Sequence, residues 1–275
     1  MKYHVLLRIF LTLLVSWIGS TAFGQSNVNM PYNSGPQNFA IAPPATCFFN
    51  FYDNGGPALN YSNSANAATS IVTFAPSAPG KKVQAQFQTF SVEPSFDALY
   101  IYDGANSGAP LISSGNPAGF TFQAGGWWGT ALPSNTATSG LVRATGGNAS
   151  GALTFQFTSD ATASEAGWVA VVSEITPLSC AMTAPANILN AVTASGACSA
   201  NVTTAIPGFN PGGCNAGLNL RYRINGGAAV DLGLTPPSSV TLNDVPKGSN
   251  VVIWELAEPC GGAVVASVMQ LITVL

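Results

Sequence analysis

The stretch that decides the fold is residues 90–104, which reads FSVEPSFDALYIYDG. In its second half Leu99 and Ile101 alternate with Tyr100 and Tyr102. This alternation has the period of a β-strand that is packed on both faces. The stretch therefore predicts a buried strand that acidic residues precede and that ends at a turn.

Carboxylates flank this predicted strand. Glu93 and Asp97 come just before it, and Asp103 with Gly104 ends it at a turn. Only 7% of the residues are charged, so these acids have few basic partners. Oxygen ligands at the mouth of a β-structure suit a calcium ion. The alternative is that Asp97 and Asp103 cap turns, as aspartates often do.

The rest of the chain predicts the same structural class. Short β-rich runs are separated by turn residues, 29 Gly and 19 Pro among them, and no segment keeps a helical period. This pattern is typical of an antiparallel sandwich. We predict an all-β protein with two antiparallel β-sandwiches in series.

The first 24 residues predict a secretory signal peptide. Lys2 and Arg8 give a basic start, residues 9–18 form an apolar run, and residues 22–24 provide a small-x-small cleavage site. The run is too short to span a bilayer, and we expect no membrane span elsewhere. The mature protein is therefore expected to be secreted, extracellular or attached to a cell surface.

The mature chain divides into three parts by composition. Residues 25–46 form a polar N-terminal segment with one edge strand near Phe39. Residues 47–175 form the first sandwich, and residues 179–275 form the second after a short linker.

Composition argues against catalysis and against nucleic-acid binding. The single histidine is His4, inside the signal peptide, which removes Ser-His-Asp and Cys-His mechanisms and most zinc sites. A glycosidase would have to draw its two carboxylates from 11 acids scattered along the chain. Without Lys2 and Arg8, six basic residues remain, and no basic cluster is present to neutralise phosphates. We expect a protein that is not an enzyme.

Residues 47–174 resemble a CUB domain of the form common in secreted bacterial proteins, which implies a jelly-roll sandwich. The resemblance rests on motifs that follow one another in order: FYDNGG and NYS at 51–62, VQAQFQTF at 83–90, the acidic segment above, LTFQFTSD at 153–160 and GWVA at 167–170. It implies a calcium ion held by Glu93, Asp97 and Asp160, with carbonyls or water completing the shell. Ala163 stands where the family can offer a side-chain oxygen, so the carbonyl of Thr162 or a water would take that place.

The same resemblance implies two further residues near the ion. Tyr61 aligns with a tyrosine that supports the ligands, although a ring packed in the sandwich is the alternative. Asp53 is a candidate fourth acid near the ion, or it caps a turn.

Residues 179–275 resemble a hyalin-repeat type immunoglobulin-like module. The residues that carry this resemblance are Cys180, ANI at 186–188, GACSANV at 196–202, Cys214 and VPKGSNVVIW at 245–254. Such modules are spacers or adhesive units, which implies no chemistry here. Trp254 is expected in the core of this module.

Five cysteines in an exported chain imply disulfides and one thiol left over. The immunoglobulin-like order places Cys214 and Cys260 in loops at one end of the second sandwich, which implies a bridge between them. The sequence leaves the partners of Cys47, Cys180 and Cys198 open.

Trp127 and Trp128 lie in a Gly-rich stretch. Exposed rings there would contact a ligand, whereas burial against the sandwich edge is the alternative. We predict a calcium-supported binding or adhesion protein with an extracellular protein or glycan ligand. The alternatives are an accessory portion of a secreted hydrolase and a structural unit of a surface layer.

Overall fold

A computed structural model describes residues 25–176, 180–210, 215, 217–260 and 262–275. The predicted signal peptide lies outside these residues. The described secondary structure consists of β-strands, which confirms the all-β prediction. Within the described ranges no helix is long and apolar enough to cross a bilayer.

Nine strands build the first module. They are β1 (Gln25–Asn29), β2 (Gln37–Ala40), β3 (Phe48–Tyr52), β4 (Ile71–Ala75), β5 (Lys82–Ser91), β6 (Ala98–Tyr102), β7 (Leu141–Arg143), β8 (Leu153–Thr158) and β9 (Gly167–Ile175).

Nine further strands build the second module. They are β10 (Ala181–Thr183), β11 (Ile188–Ala191), β12 (Ser199–Ala205), β13 (Gly208–Asn210), β14 (Asn219–Ile224), β15 (Val230–Asp231), β16 (Ser239–Pro246), β17 (Gly248–Ala257) and β18 (Val264–Val274).

The first module is a sandwich of two sheets. One sheet has the order β1-β3-β9-β5-β7 and the other the order β2-β4-β8-β6. Aromatic rings fill the space between them: Phe51 of β3 contacts Phe74 of β4 and Phe155 of β8, with ring centroids 5.2 and 5.0 Å apart. Removing one such buried ring typically costs about 3–5 kcal/mol, so this aromatic layer fixes the two sheets against each other.

The N-terminal segment, residues 25–46, contributes two strands to this sandwich. Strand β1 pairs in parallel with β3, and β2 pairs in parallel with β4 at the edge of the other sheet. The expected edge strand near Phe39 is β2, whereas β1 is a strand that the sequence does not signal. Only Val28 of β1 is buried, so the segment lacks the alternation that would reveal it.

The second module places a five-stranded sheet, in the order β11-β18-β17-β14-β15, beside the strand pairs β12-β16 and β10-β13. Trp254 of β17 is fully buried in its core, as predicted. Its indole Nε1 donates a hydrogen bond to the Gln270 side-chain oxygen over 3.1 Å. The buried indole therefore keeps a partner for its one polar group.

A disulfide joins the two modules. Cys47 is bonded to Cys260, with the two Cα atoms 5.6 Å apart. The predicted Cys214–Cys260 bridge is therefore wrong, and Cys214 itself lies outside the described residues. The prediction considered only bridges within one module, whereas the end of β17 in fact meets the start of β3 from the other module. Cys198 is an exposed free thiol, in agreement with the expected unpaired cysteine.

Buried charge lies at the same junction. The Nζ atom of Lys81 is 2.7 Å from a Glu174 carboxylate oxygen and 3.2 Å from a Glu258 oxygen. The Lys81 side chain is only 1% exposed. Glu174 belongs to the first module and Glu258 to the second, so one ammonium group links both.

We expect Lys81→Met to destabilise the protein by about 3 kcal/mol, because two partly buried carboxylates would lose their only cation. Chemical denaturation followed by tryptophan fluorescence measures this. The exposed Lys247→Met serves as the control and should change stability by less than about 0.5 kcal/mol. The triple variant with Glu174→Gln and Glu258→Gln should recover part of the loss, and equal stability of Lys81→Met and wild type would contradict the prediction.

Candidate metal site

A short loop between β5 and β6 carries two of the predicted ligands. Glu93 and Asp97 lie at its two ends, and the Asp97 N–H donates to the Glu93 carbonyl over 3.3 Å. Ser95 between them has a φ of 69°, which lets the chain turn tightly. Val92 exchanges backbone hydrogen bonds of 3.1 and 2.8 Å with Gly129, which anchors the start of the loop.

Strand register brings the third ligand to this loop. Strands β6 and β8 are antiparallel, with Ala98 opposite Thr158. The residues just before β6 therefore lie beside those just after β8. The Asp160 N–H donates to the Asp97 Oδ1 atom over 2.7 Å, which joins two acids 63 positions apart in the chain.

Tyr61 connects two of the acids. Its hydroxyl donates to the Asp97 Oδ2 atom over 2.6 Å and accepts the Glu93 N–H over 3.0 Å. The ring is 1% exposed and packs edge-on against Phe157, with centroids 5.0 Å apart. Burial, followed by the hydrogen bond to Asp97, raises the pKa of Tyr61, so it stays a neutral donor. Tyr61 is thus both a packed ring and a support for the acids.

Glu93, Asp97 and Asp160 form one group. Each offers a carboxylate oxygen, and these oxygens lie within 4.8 Å of one another. Oxygens on opposite sides of one calcium ion are about 5 Å apart, since each Ca–O distance is about 2.3–2.6 Å. The spacing of the group therefore fits calcium.

The Glu93 Oε2 atom gives an independent indication. It is buried and has no hydrogen-bond partner among the described residues. The four ion pairs of the described residues involve none of the three acids. A buried anionic oxygen without a hydrogen-bond donor or a cation raises the free energy of the folded state. A bound cation would remove this unfavourable contribution.

The electrostatics of the group agree with this. Burial raises the pKa of Asp97 to about 6; hydrogen bonds from Tyr61 and the Asp160 N–H oppose the shift, and the charges of Glu93 and Asp160 add to it. Burial and then the charges of Asp160 and Glu165 raise the pKa of Glu93. Both carboxylates therefore ionise less readily than free ones, and a positive charge between them would favour the ionised form.

Thr162, whose carbonyl the CUB resemblance offers as a ligand, and Glu165, which the sequence does not assign to the site, also act on it. Thr162 donates to the Asp160 Oδ1 atom from its N–H over 2.8 Å and from its hydroxyl over 3.2 Å. Glu165 contributes its charge to the shift at Glu93. The Asp-x-Thr spacing is a turn signal that agrees with these hydrogen bonds of Thr162.

Asp53 lies outside this group. Its carboxylate is buried and accepts the Gly55 N–H over 2.7 Å and the Trp168 N–H over 3.2 Å. Gly167 has a φ of 66°, and a Cβ there would come within 2.0 Å of the Asp53 Oδ2 atom. Asp53 thus caps its turn and fixes the start of β9, the alternative role considered for it.

The other candidates are also placed away from the group. Asp103 accepts the Thr145 N–H over 3.0 Å and the Asn148 side-chain amide over 2.7 Å, so it acts in turn structure. Trp127 is buried and its Nε1 donates to the Ile112 carbonyl over 3.1 Å. Trp128 is partly buried against the same core. Burial is therefore the alternative that the structure supports for Trp127.

No protein-family model and no curated protein matches the chain. Among solved structures, the chain is similar to the CUB1-EGF-CUB2 domains of rat MASP-1, with 12% identity over 86% of this chain and 98% of that one, at a TM-score of 0.32. It is also similar to the CUB1-EGF-CUB2 domain of human MASP-1/3, with 11% identity over 79% and 96% and a TM-score of 0.33. Likenesses at these scores add nothing to the account of the site, which rests on the contacts above.

Tyr61→Phe should lower the free energy of unfolding by about 1–3 kcal/mol, because it leaves the buried Asp97 oxygen and the Glu93 N–H without their partner. Denaturation in the presence of chelator measures the effect of the hydroxyl alone. Tyr32→Phe is the matched control, since the Tyr32 hydroxyl donates to the Asn63 carbonyl at an exposed site. Equal losses in the two variants would contradict a role for Tyr61 in holding the acids.

Asp53 predicts a pH dependence of stability. Burial raises its pKa from 3.8 to about 6, against the opposing backbone hydrogen bonds. The folded state therefore favours the protonated form, whose contribution is complete below the unfolded pKa and is lost as the pH rises through about 6. Asp53→Asn should thus gain about 2–3 kcal/mol relative to wild type between pH 4 and pH 7, at about 1.36 kcal/mol per pKa unit.

Urea denaturation of both proteins at each pH measures this difference. Because wild type and variant both keep Asp97, its titration contributes equally to both stabilities and cancels in their difference. The exposed Asp244→Asn controls for the removal of a carboxylate. A difference between wild type and Asp53→Asn that is independent of pH would contradict the prediction.

Proposed function

We propose that this protein is an extracellular, calcium-supported binding protein without catalytic activity, with a CUB-like first module and a spacer-like second module of the hyalin-repeat type. The observation that carries the proposal is the convergence of Glu93, Asp97 and Asp160 around a buried Glu93 oxygen that has no partner. Export is supported by the disulfide between Cys47 and Cys260, since such bonds persist in oxidising compartments.

The proposed role of the ion is to order two loops. Glu93 and Asp97 belong to the loop before β6, and Asp160 belongs to the loop after β8. When bound, calcium supplies positive charge that three adjacent carboxylates lack. Tyr61 and Thr162 then hold these carboxylates in place from the protein side.

An exposed aromatic pair beside the site supports a binding role. Phe96, next to Asp97 in the chain, stacks on Phe120 with centroids 4.9 Å apart and ring planes 11° from parallel. Phe120 is 79% exposed. Large exposed rings are common in recognition surfaces, so a loop that calcium orders also presents a contact surface.

We expect millimolar calcium to raise the melting temperature of residues 25–275 by several degrees. Ligand at about 100 times its Kd adds about 2.7 kcal/mol, and about 1 kcal/mol shifts the melting temperature of a protein of this size by about 2–4 °C. Magnesium should act less, because it requires shorter bonds and near-octahedral geometry. Differential scanning calorimetry with and without chelator measures the shift.

Asp97→Asn and Asp160→Asn should each abolish the calcium-dependent rise and keep the β-sheet signal. The exposed Asp244→Asn is the matched control and should retain the rise, since its φ of 54° is one that asparagine tolerates. A wild-type melting curve unchanged by chelator would overturn the calcium proposal.

A further inference from the structure

A cavity of about 310 Å³ lies on the side of the β2-β4-β8-β6 sheet that faces away from the sandwich core. Strands β6 and β8 supply one side of it, and the loop segment 121–123 supplies another. Leu99 and Ile101 of β6 pack in the core, so the alternate residues Tyr100 and Tyr102 belong to the cavity face.

Aromatic rings form the apolar part of the cavity. Tyr100 and Tyr102 lie 6.4 Å apart with ring planes 23° from parallel. Tyr100 and Phe122 belong to one buried apolar cluster, against which Tyr102 packs. Both phenol hydroxyls are engaged within the protein: Tyr100 donates to the Gln123 carbonyl and Tyr102 to the Gln156 side-chain oxygen, each over 2.7 Å. The rings are therefore held in place before any ligand arrives.

Amides and hydroxyls form the polar part. The Gln156 side-chain nitrogen donates one hydrogen bond, to the Ala67 carbonyl over 2.7 Å, and carries a second N–H. Gln123 and Thr158 also line the cavity, and their side chains make no hydrogen bond to the described residues. Donors and acceptors thus remain for a ligand that carries hydroxyl groups.

No residue that lines the cavity carries a charge. Burial raises the pKa of both Tyr100 and Tyr102, so their phenols stay neutral. A charged ligand would lose its hydration here without meeting an opposite charge. A purely apolar ligand would leave the free amide and hydroxyl groups unpaired.

A sugar ring meets both requirements, because it combines apolar C–H faces with neutral hydroxyls. Pockets that join fixed aromatic rings with a few placed polar groups are the usual form of small-ligand sites. We infer that this cavity, lined by Tyr102, Phe122, Gln123 and Gln156, binds a neutral saccharide unit.

The cavity is tied to the acidic loop. The Thr121 hydroxyl donates to the Phe96 carbonyl over 3.1 Å, and the Phe120 N–H donates to the Ser95 carbonyl over 2.9 Å. Phe120 directly precedes the wall segment 121–123 in the chain. Its exposed ring therefore provides a second aromatic surface for a longer glycan. The inference rests on the proposed binding function and specifies its ligand class, but it does not require calcium.

The test uses the protein of residues 25–275 and a panel of neutral oligosaccharides: β-1,4-linked hexamers of glucose, mannose, xylose and N-acetylglucosamine. Isothermal titration calorimetry in calcium and in chelator should show binding of at least one oligomer. Tyr102→Ala and Gln123→Ala should each weaken that binding by at least about tenfold. Because Gln123 is exposed, Gln123→Ala should keep the fold. Thermal melting checks the folding of both variants.

Tyr32→Ala is the matched control, because it removes another exposed tyrosine of the same module and should leave the affinity unchanged. Failure of every oligosaccharide to bind, or an equal loss in Tyr32→Ala, would overturn the inference. Binding of neutral peptides in place of the sugars, tested with a tetrapeptide library, would also overturn it. The calcium proposal is tested separately by the melting temperature. Failure of the saccharide inference therefore does not affect the test of calcium binding, and the reverse also holds.

Discussion

The buried carboxylate of Asp97 is the constraint on which the arrangement of the first module's loops depends. It is inaccessible to solvent, and no basic side chain pairs with it among the described residues. Its oxygens instead accept hydrogen bonds from the Tyr61 hydroxyl and the Asp160 N–H. Because an unsatisfied buried carboxylate is costly, these hydrogen bonds favour the arrangement in which three segments distant in the chain meet at Asp97.

Three bases of the described residues pair with acids outside this group. Lys81 lies between Glu174 and Glu258 at the module junction. Arg221 and Arg223 both contact Glu255 on the second sheet, at 2.6 and 3.3 Å. Glu174, Glu255 and Glu258 thus have cations of the protein itself. The three adjacent carboxylates of Glu93, Asp97 and Asp160 have no such partner among the described residues, which supports the proposed external cation there.

Sequence patterns predicted the local features well. The alternation at residues 98–102 predicted β6 because a strand buried on both faces leaves a strong local signal. The resemblance to CUB domains brought Glu93, Asp97, Asp160 and Tyr61 together, and the structure gathers these same residues.

Features that depend on distant pairing were not predictable. Strand β1 buries one residue only, so its parallel pairing with β3 leaves no periodic signal. The Cys47–Cys260 bond and the Lys81 contacts depend on how two modules meet, which no local pattern records. The side chains of the cavity come from β6, β8 and the segment 121–123, and their proximity follows from tertiary packing alone.

One connection explains why the acidic loop and the cavity occur together. Strand β6 is the edge of its sheet, and exposed edges invite pairing with other chains. The long connection after β6 covers this edge: Trp127 exchanges backbone hydrogen bonds of 2.8 and 3.0 Å with Leu99, and Gly129 pairs with Val92. Because the connection after β6 is fixed along this edge, it also forms one wall of the cavity and anchors the acidic loop. The protection of one edge strand therefore preorganises both features, and preorganised groups bind at a smaller entropic cost than mobile ones.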